Sequence, residues 1–158
     1  MAGRKCEVTA VRELFPRERL GDSARRIARD LGLGHNTLAA LVTRGLHEIT
    51  RLGVALGAFA ETFHGLAGVG DLYTTCASRI GRNRTAGERI GRGGTVQEVI
   101  ASTPSVIEGI STTKSVIALA ERCGVNMPIV FAVGEVLFGD CRPEDAIALL
   151  MTRPLRSE

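Results

Sequence analysis

Residues 68–84, Gly-Val-Gly-Asp-Leu-Tyr-Thr-Thr-Cys-Ala-Ser-Arg-Ile-Gly-Arg-Asn-Arg, concentrate the groups that could do chemistry. One carboxylate, Asp71, precedes a run of hydroxyls that includes Thr75; Gly81, Arg82 and Asn83 follow. Arg82 and Asn83 stand at the expected start of a helix, where free N–H groups and the positive dipole end favour phosphate. A guanidinium adds a planar fork of donors that matches phosphate oxygens. Asp71 could accept from a substrate hydroxyl or hold a basic side chain. The segment therefore suits a small polyol phosphate. Residue types alone leave two other readings open. One is a polar loop with solvated arginines and Asp71 as a helix cap. The other is a contact to the RNA backbone through the Gly- and Arg-rich text from Gly81 to Gly94.

The remaining reactive side chains form no comparable cluster. His35, His47 and His64 have no partner at metal-ligand spacing, and His47-Glu48 does not sit in an H-E-x-x-H frame, so no metal is expected. Cys6, Cys76, Cys123 and Cys141 form no C-x-x-C pair and read as buried, reduced thiols of a cytoplasmic protein. Only Lys5 and Lys114 could supply a neutral amine base, since every other basic residue apart from the histidines is Arg. Glu108 precedes a helix and reads as a cap or first-turn acid.

The elements that must position these groups are helical. Ala24, Ile27, Ala28 and Leu31 share one face of a short helix ended by Gly32. Asn36 is placed as the N-cap of a long central helix reaching Leu56. Its stripe runs Leu38, Leu41, Val42, Gly45, Leu46, Ile49, Leu52, Gly53 and Leu56. Gly45 and Gly53 within it suggest close approach of another backbone. Shorter helices are expected at Glu61–His64, Asp71–Ala77, Arg82–Ile90 and Val96–Ala101. Gly91, Gly93 and Gly94 should end the third of these, and Thr95 with Glu98 should form a capping box for the fourth. Thr112–Arg122, then a helix opened by Met127-Pro128 and ended at Gly139, then one opened by Arg142-Pro143 complete the chain. No period-two run of strand length occurs, so the fold class is all-α, a helical bundle.

Composition bounds the function. The chain has 158 residues, 44% hydrophobic and 23% charged, which excludes a disordered protein and provides for one packed core. No apolar run reaches the roughly 20 residues of a membrane helix, and no secretory signal is expected at Met1. A net charge of +3, one Tyr, five Phe and no Trp argue against nucleic acid. A dinucleotide-dependent enzyme uses about 150 residues for its cofactor domain alone, so a complete one does not fit this length.

The text from about Leu31 to Arg156 resembles the C-terminal, substrate-binding domain of bacterial NAD(P)-dependent glycerol-3-phosphate dehydrogenase. The matching stretches are Gly32–Thr37, Thr43–Gly53, Gly65–Leu72, Thr75-Cys76, Arg82-Asn83-Arg84, Val106–Gly109 and Met127–Ile129. The resemblance implies an all-α bundle of the 6-phosphogluconate dehydrogenase C-terminal-domain type. It also implies a family reaction, reduction of dihydroxyacetone phosphate to sn-glycerol 3-phosphate by hydride from NADH or NADPH, which supplies phospholipid synthesis. Carried over by position, Asp71 contacts the substrate or the catalytic lysine, and Thr75 supports that network. Gly81, Arg82 and Asn83 hold the substrate phosphate; Arg82, Val106 and Glu108 contact the nucleotide.

Two departures from the family follow. Residues 1–20 match nothing in it and are read as a leader, with the helical substrate domain at 21–158 and the N-terminal Rossmann domain outside the sequence. The family's lysine is replaced in Gly21-Asp22-Ser23-Ala24, so the isolated chain is expected to be inactive, a truncated or frame-shifted product. The rival reading is a non-enzymatic module that binds a polyol phosphate or dimerises. Apolar surface left for a second domain leads to an expectation of self-association as a homodimer, with no nucleic-acid or membrane partner.

Overall fold

A computed structural model of the protein describes residues 35–78 and 80–152. Among them are eight α-helices and no strand. In chain order they are α1 His35–Ala55, α2 Ala60–His64, α3 Asp71–Ala77, α4 Arg82–Gly91, α5 Val96–Ala101, α6 Glu108–Cys123, α7 Pro128–Phe138 and α8 Pro143–Thr152. The expected helix at Ala24–Leu31 and the leader lie outside the described residues.

Local chemistry sets most boundaries. The Thr95 hydroxyl accepts from the Glu98 N–H and the Glu98 carboxylate accepts from the Thr95 N–H, the reciprocal cap expected for α5. The Thr95 N–H, with its hydroxyl second, holds the Glu98 carboxyl below the usual carboxylate range. Gly124 takes the left-handed conformation (φ 64°) and ends α6. Pro128 opens α7. Some boundaries differ from the sequence expectation. Asn36 lies inside α1 rather than at its cap. Helix α4 continues through Gly91 and stops at Arg92, before Gly93 at φ 93°. Helix α6 begins at Glu108, a full turn ahead of Thr112. Leu66–Gly70, to which the sequence assigns no element, forms a π-helical turn. Gly68 is required in it, since a side-chain carbon there would run into the Phe63 backbone.

Two apolar clusters hold the helices together. Leu52 of α1, Ala120 of α6 and Met127 meet in one, with Val116, Val130 and Phe131 against them. Ala86 and Ile90 of α4 meet Val99 of α5 in the other, flanked by Ile107, Val136 and Leu137. Helix α7 serves both, through Val130 and Phe131 in the first and Val136 and Leu137 in the second, and so connects the α1 side of the bundle to the α4 side. Helix α1 ends at Ala55, one residue short of Leu56; its expected stripe is buried at Leu46 and Leu52 but exposed at Ile49 and at Leu56 just beyond it. Its apolar arc is wider than the surface its neighbours cover. The ring of Phe63, not a backbone, fills the space beside Gly53, and Gly45 has only an ordinary contact with Ile129.

The junction of α1 with α7 is polar and buried. Glu48 is 4% exposed. Its carboxylate accepts from the Ile129 N–H at 2.8 and 3.1 Å and from the Val130 N–H at 3.3 Å. No side chain of α7's own N-cap, Met127, does this. A carboxylate at a helix N-terminus satisfies free donors and meets the positive dipole end. On the same helix, Arg44 donates to the carbonyl of Leu150 in α8. Polar residues of the Thr43–Gly53 motif thus fasten helices to one another.

Candidate phosphate site

Helix α4 starts at Arg82 behind Gly81, which is extended (φ −65°, ψ 123°) and offers no side-chain cap. Its first-turn N–H groups are the donors a helix leaves unpaired. Helix α6 starts at Glu108 behind Ile107, likewise without a side-chain cap. The two N-termini are bonded to each other. Arg82 Nη1 donates to the carbonyl of Val106 at 2.9 Å. Arg82 Nη2 lies 3.7 Å from Glu108 Oε1, with the two side chains 54% and 72% exposed. The Gly109 N–H donates to Asn83 Oδ1 at 3.0 Å. Thus Arg82, Asn83, Val106 and Glu108, selected in two separate stretches of sequence, stand together. Gly109 joins them.

Asp71 and Thr75 lie one turn apart on α3, both exposed, on the same face of that helix. Helix α3 is tied to α4 through Arg84, whose Nη1 donates to the Cys76 carbonyl at 3.4 Å. Arg84 also pairs with Glu88 at 2.9 Å and its side chain is only 7% exposed. It is a clamp between helices and is turned away from solvent, unlike Arg82. Arg79 lies outside the described residues. Of the two described arginines here, Arg82 and Arg84, Arg82 is the exposed one.

Cys76, Cys123 and Cys141 are free but half-buried rather than fully buried. Burial pushes the Cys76 thiol above its usual range, and Arg84 pulls it the other way more weakly. Such a thiol is mostly protonated at neutral pH and a poor nucleophile. Lys114 Nζ sits 4.5 Å from the centre of the Phe138 ring, and Lys114 lines a cleft with Thr95 and Arg142. Cys6 and Lys5 lie outside the described residues. Among the described residues no three His, Cys, Asp or Glu side chains gather at metal-binding range. None of the helices described is long and apolar enough to cross a membrane.

Comparison with known proteins gives the family of the chain. Residues 24–148 match the profile of the NAD-dependent glycerol-3-phosphate dehydrogenase C-terminus. The chain belongs to that family. It is 50% identical over 132 residues to the glycerol-3-phosphate dehydrogenase [NAD(P)+] of Geobacter sulfurreducens, covering 84% of this chain and 39% of that protein. It is 51% identical over 128 residues to the enzyme of the same name from Cupriavidus pinatubonensis, covering 81% and 37%. The crystal structure of glycerol-3-phosphate dehydrogenase from Coxiella burnetii matches with a TM-score of 0.75 at 37% identity, covering 93% of this chain and 42% of that one. The chain therefore spans about two fifths of the length of the glycerol-3-phosphate dehydrogenases it matches. What it matches in them is the C-terminal, helical part, in agreement with the all-α expectation.

Two features were not anticipated from sequence. As sequence, Gly109 is motif text without a role, and Glu48 is a carboxylate outside any metal-ligand frame. A local signal exists for the first: Gly109 is a glycine in a helix's first turn, where nothing in that helix requires it.

Proposed function

We propose that this chain is the substrate side of an NAD(P)-dependent glycerol-3-phosphate dehydrogenase, binding sn-glycerol 3-phosphate or dihydroxyacetone phosphate through Gly81, Arg82 and Asn83. The observation that carries the reading is the pairing of the α4 and α6 N-termini through Arg82–Val106 and Asn83–Gly109. It supports a site in which the substrate phosphate and a nucleotide share one edge. The phosphate takes the free first-turn N–H groups of α4 and the remaining donors of Arg82. As it arrives it replaces Glu108 as the partner of Arg82. The freed carboxylate then accepts from a nucleotide hydroxyl. Asp71 and Thr75, exposed on α3, address the substrate's polar end or a basic group brought beside it.

These residues fit one edge of a dinucleotide: an exposed cation for its phosphates, and a carboxylate for its hydroxyls. When bound, the nicotinamide supplies or takes the hydride. In this reading the phosphate cradle of the nucleotide, a glycine-rich turn after a strand, belongs to a separate N-terminal domain. The same reading places the protein in the cytoplasm, without nucleic-acid or membrane partners.

Calorimetric titration tests the substrate class. We expect sn-glycerol 3-phosphate to bind with a Kd on the order of 1 mM, or about −4 kcal/mol. Inorganic phosphate should compete and glycerol should not. Competition by glycerol but not by phosphate would contradict the reading.

A second copy of the chain is the other partner proposed. Phe59, Leu66 and Ile80 are 78%, 88% and 92% exposed, and large apolar side chains left open to solvent support self-association. Sedimentation velocity should find a dimer at micromolar concentration. A monomer throughout the accessible range would remove this partner.

A further inference from the structure

Gly109 is the second residue of α6, and its N–H is one of the donors that a helix start leaves without an internal partner. The acceptor comes from another helix, 26 positions earlier in the chain: Asn83 Oδ1, at 3.0 Å. An N–H can bond only to the oxygen of a carboxamide, so this contact fixes which way the Asn83 amide faces. With the oxygen used, the NH2 is the end left to act, and no described residue takes it. A phosphate needs donors. The opposite orientation would present the oxygen and repel it. The close approach depends on the missing side chain at 109. A Cβ there would stand 2.8 Å from Oδ1 and 3.2 Å from Nδ2 of Asn83. No carbon sits that near an amide without displacing it.

We infer that Gly109 is a positioning residue of the phosphate site, holding Asn83 so that its NH2 points as a donor toward the ligand. The inference rests on the reading of Arg82 and Asn83 as phosphate ligands. Gly109 itself contacts no substrate; it acts through Asn83.

The test is titration of the full chain with sn-glycerol 3-phosphate, read by calorimetry and by the NMR signals of the Asn83 side-chain NH2. In the wild type those NH2 signals should move on binding. Gly109→Ala should keep its far-ultraviolet helical signal, since Ala favours helix over Gly. It should bind about tenfold more weakly, the size of one hydrogen bond to a charged group, and its Asn83 NH2 signals should stay still. Asn83→Asp keeps an oxygen for the Gly109 N–H but removes the NH2, and should lose binding as well. Gly109→Ala binding as tightly as wild type, or Asn83 NH2 signals unmoved in the wild type while Arg82→Ala still abolishes binding, would overturn the inference alone. Absence of any binding to the wild-type chain would instead remove the phosphate reading, and this inference with it.

Discussion

Glu48→Ala should destabilise the protein by about 3 kcal/mol, measured as a fall in the urea midpoint at unchanged slope. The carboxylate is buried and accepts from two successive N–H groups at the start of α7. Truncation leaves those donors without a partner in a place water reaches poorly, and each such loss costs about 1–3 kcal/mol. It also opens a void where the side chain was, between α1 and α7. The cluster of Leu52, Ala120 and Met127 sits at the same junction, so the loss of alignment is felt by the core. Glu48→Gln should recover part of the loss. Its carbonyl can still accept one N–H, while its NH2 must turn away from the helix end. A change within about 0.5 kcal/mol for Glu48→Ala would mean that α7 is capped by something else.

Arg82→Ala should weaken binding of sn-glycerol 3-phosphate by about 30- to 100-fold, or roughly 2–3 kcal/mol. The guanidinium is the exposed cation at the α4 N-terminus, and charge-assisted bonds to phosphate are among the stronger ones a site can make. Arg84 cannot substitute for it, because that side chain is turned inward onto Glu88 and the Cys76 carbonyl. Arg82→Lys keeps the charge but not the fork, so it should fall between wild type and Ala. The effect should fade with added salt, as expected of a partly exposed charge. Stability should hardly change, since the Arg82–Glu108 pair is largely solvated and such pairs contribute about 0–1 kcal/mol.

Much of this was readable along the chain, for local reasons. The capping box at Thr95–Glu98, the Pro at the start of α7 and the glycine after α6 act within a few residues, so sequence shows them directly. The same holds for the α4 start, which made Arg82 and Asn83 stand out. The unread parts depend on partners far along the chain. Glu48 bonds to Ile129, 81 positions away, and its motif shows only a carboxylate on a helix. Arg84 looks identical to Arg82 as text; only the packing of α4 on α3 turns one inward and the other out. Periodicity over-extended the buried face of α1, because it counts apolar residues and not the helices available to cover them. The family resemblance named Asn83 and Val106 as ligands of two different molecules. The structure adds that their two helix starts are bonded together.

We propose that Arg82 and Asn83, joined to the α6 start, form the phosphate site of a glycerol-3-phosphate-binding domain. The measurement closest to it is calorimetric titration of sn-glycerol 3-phosphate into wild type, Arg82→Lys and Arg82→Ala side by side. A saturable binding heat is expected in the wild type, a weaker one in Arg82→Lys and none over the same range in Arg82→Ala. Equal binding heats in all three would contradict it.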